Sequence, residues 1–176
     1  MEKQQTVVNS AVYSGIALHS GARSAVRVQP APENTGIVFR RVDLPGRPEV
    51  RALASNVVDV RRGTTIASGN AVVFTVEHIM SALNAFHIDN CIVEMDGMEP
   101  PIGDGSSLPY CRMLREAGVQ VQEAEAKVFT PASPLYVEGG HTRLVIVPGP
   151  ELRIACTTSF PGCPIDPQFY EFTATT

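Results

Sequence analysis

Residues 75–90 read Thr75-Val76-Glu77-His78-Ile79-Met80-Ser81-Ala82-Leu83-Asn84-Ala85-Phe86-His87-Ile88-Asp89-Asn90. Val76, Ile79, Met80, Leu83 and Phe86 recur at steps of three and four, the spacing of one buried helical face, and predict a helix over 75–86. Thr75 is placed to cap it, because its hydroxyl can accept a bond from an unpaired N–H of the first turn. Glu77 and His78 fall off the apolar stripe, near the positive end of the helix dipole. That end favours a carboxylate and disfavours a cationic imidazole, leaving the neutral form that binds metals. An imidazole beside a carboxylate is the minimum set for metal-assisted hydrolysis, one holding the ion and the other taking a proton from water. The alternative is that Glu77 merely complements the dipole and His78 is an ordinary surface residue.

Outward from this helix the chain reads as strands. Thr6–Val8, Ala25–Val28 and Gly36–Phe39 are β-type runs separated by Gly, Pro and Asn. Thr64–Ala67 and Ala71–Phe74 flank Ser68-Gly69-Asn70, which predicts a tight hairpin, and Asn90–Met95 follows the helix as another strand. Residues 97–105 read as loop. A second helix is expected from Ser106 or Ser107, with Pro109 in its first turn and Gly118 ending it. This order predicts an α+β fold with helices packed on one face of a mainly antiparallel sheet. Gln120–Lys127 reads as a polar, acidic segment. Strand signals resume at Arg143–Val147 and Leu152–Thr157 around Pro148-Gly149-Pro150, and Gly140 through Val147 weakly echoes Gly21 through Val28. The expectation is two α+β domains, residues 1–127 and 128–176, the second incomplete.

Composition excludes several classes. At 176 residues, 44% hydrophobic and 18% charged, the chain has enough apolar material for a core and is not disordered. A net charge of −4 gives no reason to expect nucleic acid as partner. No apolar run reaches the roughly 18–20 residues of a membrane span, and the start lacks the order of a signal peptide, so a cytoplasmic location is expected. Cys91, Cys111, Cys156 and Cys163 form no Cys-x-x-Cys pair; Cys91 and Cys156 lie in apolar strand-like runs and are expected to be buried.

Several stretches together resemble the zinc-dependent UDP-3-O-acyl-N-acetylglucosamine deacetylases of lipid A synthesis. Gly15-Ile16-Ala17-Leu18-His19-Ser20-Gly21 is similar to the family's Gly-x-Gly-Leu-His-x-Gly segment, with Ala17 replacing a glycine. Pro30 to Arg41 resembles its early strand pair. Thr75-Val76-Glu77-His78, Ala82-Leu83 and Ile88-Asp89-Asn90 match its most distinctive helix, and Pro101-Ile102-Gly103-Asp104-Gly105-Ser106-Ser107 the loop entering its second. The resemblance implies two α+β domains with the active site between them, His78 as one of three protein ligands to a catalytic zinc (Zn2+), and Glu77 as general base. It implies a UDP-linked acylated aminosugar as substrate, with acetate released from its 2-acetamido group. The family's other two zinc ligands come from a later His-x-x-x-Asp segment that this sequence lacks; His141 is followed four residues on by Val145. The expectation is a family member cut off in its second domain, binding zinc weakly and turning over little or nothing. The other reading is a non-catalytic nucleotide-sugar or protein-binding module.

The remaining polar residues divide as follows. The resemblance puts the His19 loop near the metal cleft, where the imidazole would contact substrate or phosphate; otherwise it is an exposed turn histidine. His87 is read as complementing the helix C-terminus, His141 as exposed in a hairpin turn, and Asp89 and Asn90 as satisfying backbone groups at the helix-to-strand turn. Asp104 shapes its loop, and Arg61 and Arg62 are an exposed pair. An unfinished second domain implies exposed apolar surface after residue 128 and self-association.

Overall fold

The computed structural model describes residues 2–173, which fall into two units divided at Lys127 and Val128. In the first, β1 (Lys3–Val7), β2 (Ala11–Ile16), β3 (Arg23–Pro30), β4 (Ile37–Arg41), β5 (Glu49–Arg51), β6 (Val57–Asp59), β7 (Thr65–Ser68) and β8 (Ala71–Val73) precede α1 (Glu77–Ala85). Then come β9 (Cys91–Met95), α2 (Leu108–Ala117) and β10 (Val119–Glu125). The strands make a five-stranded sheet ordered β2-β3-β9-β4-β5, a three-stranded sheet β6-β7-β8, and the pair β1-β10. Every pairing is antiparallel except β4 with β9. The unit is α+β, mostly strand with two helices.

Alternation along the strands sorts the faces. Val26, Val28, Phe39, Val50, Val93 and Met95 point into a core shared with Ile79, Ala82 and Leu83 of α1 and Tyr110, Met113 and Leu114 of α2. The helices also pack against each other. Across the opposite face runs a row in register, Val12, Arg27, Glu94, Arg40 and Glu49, one residue from each strand. Its ion pairs span 3.9 Å (Arg27–Glu94), 3.4 Å (Arg40–Glu94) and 2.7 Å (Arg40–Glu49). Solvent-facing pairs of this kind contribute about 0–1 kcal/mol each, so the row keeps the face wet more than it stabilises the sheet.

The helix over 75–86 forms, but its start differs from the expectation. Thr75 is not the N-cap: it is buried, its backbone is left-handed at φ +53°, and its hydroxyl donates to the Glu99 carboxylate. Val76 occupies the cap position without a side-chain bond. In α2, Pro109 sits in the first turn, Ser106 Oγ accepts the Leu108 N–H at 3.1 Å, and Gly118 turns out of the helix at φ +72°. Asp104 Oδ1 accepts the Ser106 N–H and hydroxyl, shaping the loop as expected.

Gln120–Lys127 is also corrected, since most of it is strand. Val119–Glu125 pairs with β1, and the Gln122 side chain joins an amide network around Asn90. Asn90 is 1% exposed; its Oδ1 accepts the Gly36 N–H, and its Nδ2 donates to Gln4 Oε1 and Gln122 Oε1. Asp89 accepts the Gln5 N–H. Both side chains are structural, but the groups they satisfy are distant rather than at their own turn. Asn90→Ala leaves the half-buried Gly36 N–H and the buried Gln4 side chain without this partner, so a loss of about 2 kcal/mol is expected, read as the shift in urea midpoint.

The second unit holds β11 (Leu135–Gly139), β12 (Thr142–Ile146), β13 (Arg153–Thr158) and β14 (Gln168–Thr173), in two antiparallel hairpins. The strands on either side of Pro148-Gly149-Pro150 therefore pair with other partners, not with each other. His141 sits in the two-residue turn between β11 and β12 and is exposed. Cys91 is buried, and burial pushes its thiol up to about 12, so it is inert. Cys156 is exposed, contrary to expectation, because its hairpin has no apolar layer over it within this unit.

Candidate functional site

Three segments of the first unit meet at Gly63. The first is the turn from β2 to β3, which carries His19. The second is the link from β6 to β7, Val60 to Thr64, in which Arg62 has φ +60°. The third is the entry to α1, carrying Thr75 and Glu77. A methyl group built on Gly63 would lie 3.3 Å from Glu77 Oε1, 3.4 Å from Thr75 Oγ1 and 3.7 Å from His19 Nε2. The absent side chain thus leaves a small gap faced by a carboxylate, a hydroxyl and an imidazole.

Each group is held from behind. Glu77 Oε2 accepts the Thr64 N–H at 3.0 Å, while no donor among the described residues reaches Oε1. His19 Nε2 lies 3.2 Å from the Arg62 carbonyl, so the imidazole is tied to the same link from the other side. Its ring is exposed, and that of His78 half-buried. The His78 ring forms no hydrogen bond among the described residues; its carbonyl accepts the Ser81 hydroxyl.

Beneath the gap lies Glu99, 1% exposed. It accepts four donors: the N–H of His19 (3.0 and 3.1 Å to its two oxygens), the N–H and hydroxyl of Ser20 (both 3.0 Å), and the Thr75 hydroxyl (3.0 Å). Burial alone would push this carboxyl up; the four donors outweigh it, and the acid stays below its ordinary 4.5. With the folded value below the unfolded one, its contribution to stability is full above the unfolded value and is lost as pH falls through the folded one. Glu99→Gln is therefore expected to be less stable than the parent at neutral pH, with the gap narrowing below 4.5 in thermal melts. A pH-independent gap would contradict that origin.

Residues 97–105 read as plain loop, which hides Glu99, and nothing in the sequence next to Gly63 marks it. The available signal for Glu99 was a carboxylate between Met98 and Pro100-Pro101 with no cation nearby in sequence. Arg61 is committed to Asp59, drawing that acid down to about 2, which agrees with the reading of an exposed arginine. His87, exposed at the end of α1, lies outside the gap, and His141 belongs to the second unit.

The family model described as LpxC: UDP-3-O-acyl N-acetylglycosamine deacetylase matches residues 4–176. The chain belongs to that family. Deacetylases of that description from Chlamydia abortus, Citrifermentans bemidjiense and Myxococcus xanthus are 39%, 41% and 39% identical over 173, 166 and 168 residues. The alignments cover 98%, 94% and 96% of this chain and 61%, 54% and 54% of those relatives. The chain thus spans little more than half the length of the LpxC relatives it matches.

For a metal, the donor set decides the fit. A catalytic zinc takes three protein ligands and keeps one open position. Among the described residues no group of three or more His, Cys, Asp or Glu side chains comes together. A full LpxC zinc site is therefore not present in them. No helix among the described residues is long and apolar enough to cross a membrane.

Proposed function

We propose that this chain carries the general-base half of a deacetylase that removes the N-acetyl group from a UDP-3-O-acyl-N-acetylglucosamine, the committed step of lipid A synthesis. The observation carrying this reading is the gap at Gly63. One Glu77 oxygen is anchored by the Thr64 N–H, and the other faces a space shared with His19 and Thr75. A carboxylate so held can take a proton from water without rotating away, and return it to the departing amine. The His19 imidazole, on the far side of the gap, is the group of this chain suited to a carbonyl or phosphate oxygen of the substrate. His78 contributes one imidazole to the family's zinc. The chemistry assigned to these residues is the proton transfer at Glu77 and the binding at His19.

The test pairs zinc content with acetate release. Each is measured on the chain alone, and on the chain joined to the portion of the Chlamydia abortus relative that it does not span. Substoichiometric zinc and no acetate from the chain alone are expected, and both should appear on completion. His78→Ala should abolish both; full zinc retention would remove His78 from the ligands. The incomplete donor set favours a second reading, a non-catalytic nucleotide-sugar module. Calorimetric binding of the UDP-sugar without acetate release, even after completion, would establish it.

The hairpins of residues 128–173 expose Leu135, Val137, Leu144, Val145, Phe169 and Phe172, which supports self-association through this segment. A sedimentation coefficient that rises with concentration is expected; one constant across the range would refute it.

A further inference from the structure

We propose that Glu99 is the positioning residue of this site, its buried carboxylate locking the His19 turn and the entry of α1 into one fixed relation so that both face the gap at Gly63. Burying a carboxylate costs several kcal/mol unless it is fully hydrogen-bonded. Here every donor that offsets the cost belongs to one of the two segments that make the site. Two are the N–H of His19 itself and that of its neighbour Ser20, a third is the Ser20 hydroxyl, and the fourth is the hydroxyl of Thr75.

Thr75 joins the two functions. Its Oγ1 donates to Glu99 and also lines the gap, and it stands two residues before Glu77. Its left-handed backbone is costly for a β-branched residue and persists only where surrounding contacts hold it. The segment bearing Glu99 is fixed alongside, since the Phe74 N–H donates to the Met98 carbonyl at 2.8 Å and Ala17 bridges Pro101. Glu99 thus acts through His19 and Glu77 without facing the gap itself.

This role rests on the reading of Glu77 as base, but its test does not depend on any reaction. In the 176-residue chain labelled with 15N, the readouts are the His19 ring resonances, the nuclear Overhauser contact between the His19 ring and the Gly63 α-protons, and amide exchange at His19, Ser20 and Thr64. In Glu99→Gln, amide protection at His19 and Ser20 is expected to fall at least about tenfold, with loss of the ring contact, while the sheet amide of Val26 is unchanged. Asn90→Ala, equally buried but remote from the gap, should lower stability and leave the His19 ring in place. Thr75→Val keeps the carboxylate and removes one donor; it should loosen Thr64 while His19 and Ser20 stay protected, and it serves if Glu99→Gln does not fold. An unchanged His19–Gly63 contact in Glu99→Gln would overturn the proposal. So would an equal displacement of His19 in Asn90→Ala, or no change at Thr64 in Thr75→Val. Failure of the base assignment would show separately, as undiminished acetate release by a Glu77 variant.

Discussion

Glu77→Gln, in the chain completed with the remaining portion of a relative, is expected to slow acetate release by about 10²–10⁴-fold, the usual weight of a general base. Glutamine keeps the shape and can still accept the Thr64 N–H through its amide oxygen, so α1 should begin where it does now. What is lost is the acceptor for a proton at the gap. The loss should therefore fall on kcat, with KM little changed, because substrate binding is assigned to other groups. Zinc content should stay near the parent level, which separates this variant from His78→Ala. A rate within a few-fold of the parent would exclude Glu77 as the base.

Gly103→Ala is expected to be the most damaging conservative change in the first unit, at about 3–4 kcal/mol. Gly103 has φ +61°, a conformation that costs an ordinary residue about 1–2 kcal/mol. A methyl group there would also lie 2.7 Å from the Tyr13 hydroxyl and 2.8 Å from the Pro109 ring. Neither neighbour gives way cheaply. Pro109 is fixed in the first turn of α2, and Tyr13 packs edge-on against Tyr110 with ring centres 5.3 Å apart. Overpacking of this kind adds about 1–3 kcal/mol. Gly105→Ala is the control, because its φ is +84° but nothing lies within 4 Å. It should cost only the backbone share. Equal urea midpoints for the two variants would mean that the close approach at Gly103 carries no weight.

Helical periodicity and turn chemistry were readable from the sequence because both are local. The stripe from Val76 to Phe86, the hairpin at Gly69-Asn70 and the Pro109 to Gly118 limits of α2 all required only near neighbours. Where the sequence misled, the deciding partner was far away. Thr75 looked like a cap until its hydroxyl was claimed by Glu99, 24 residues on. Gln120–Lys127 reads as a polar, acidic segment because the partners of its Gln122 side chain, the Ala31 carbonyl and Asn90, lie far back in the chain. The site behaves the same way. Glu77 and His78 announce themselves by adjacency, whereas Glu99 and Gly63 matter only through the fold, one as a hub of donors and the other as a missing methyl group. The hairpins after residue 128 followed their own pairings, which no reading of Pro148-Gly149-Pro150 could supply.

The pairing of β1 with β10 has a consequence for how the chain is made. Lys3 pairs opposite Glu125 and Val7 opposite Val119, so β1 waits for its strand partner until the end of its unit has been made. At about 5–20 residues per second, roughly 6–25 s pass before Glu125 is synthesised. Throughout that interval β1 offers a bare edge, and Gln4 lacks the Glu125 carbonyl that later receives its amide. The β2–β3 hairpin can close long before then. Nascent chains arrested short of Val119 should therefore be clipped by protease near residues 3–7 while the later strands resist, and that sensitivity should vanish once Glu125 has emerged.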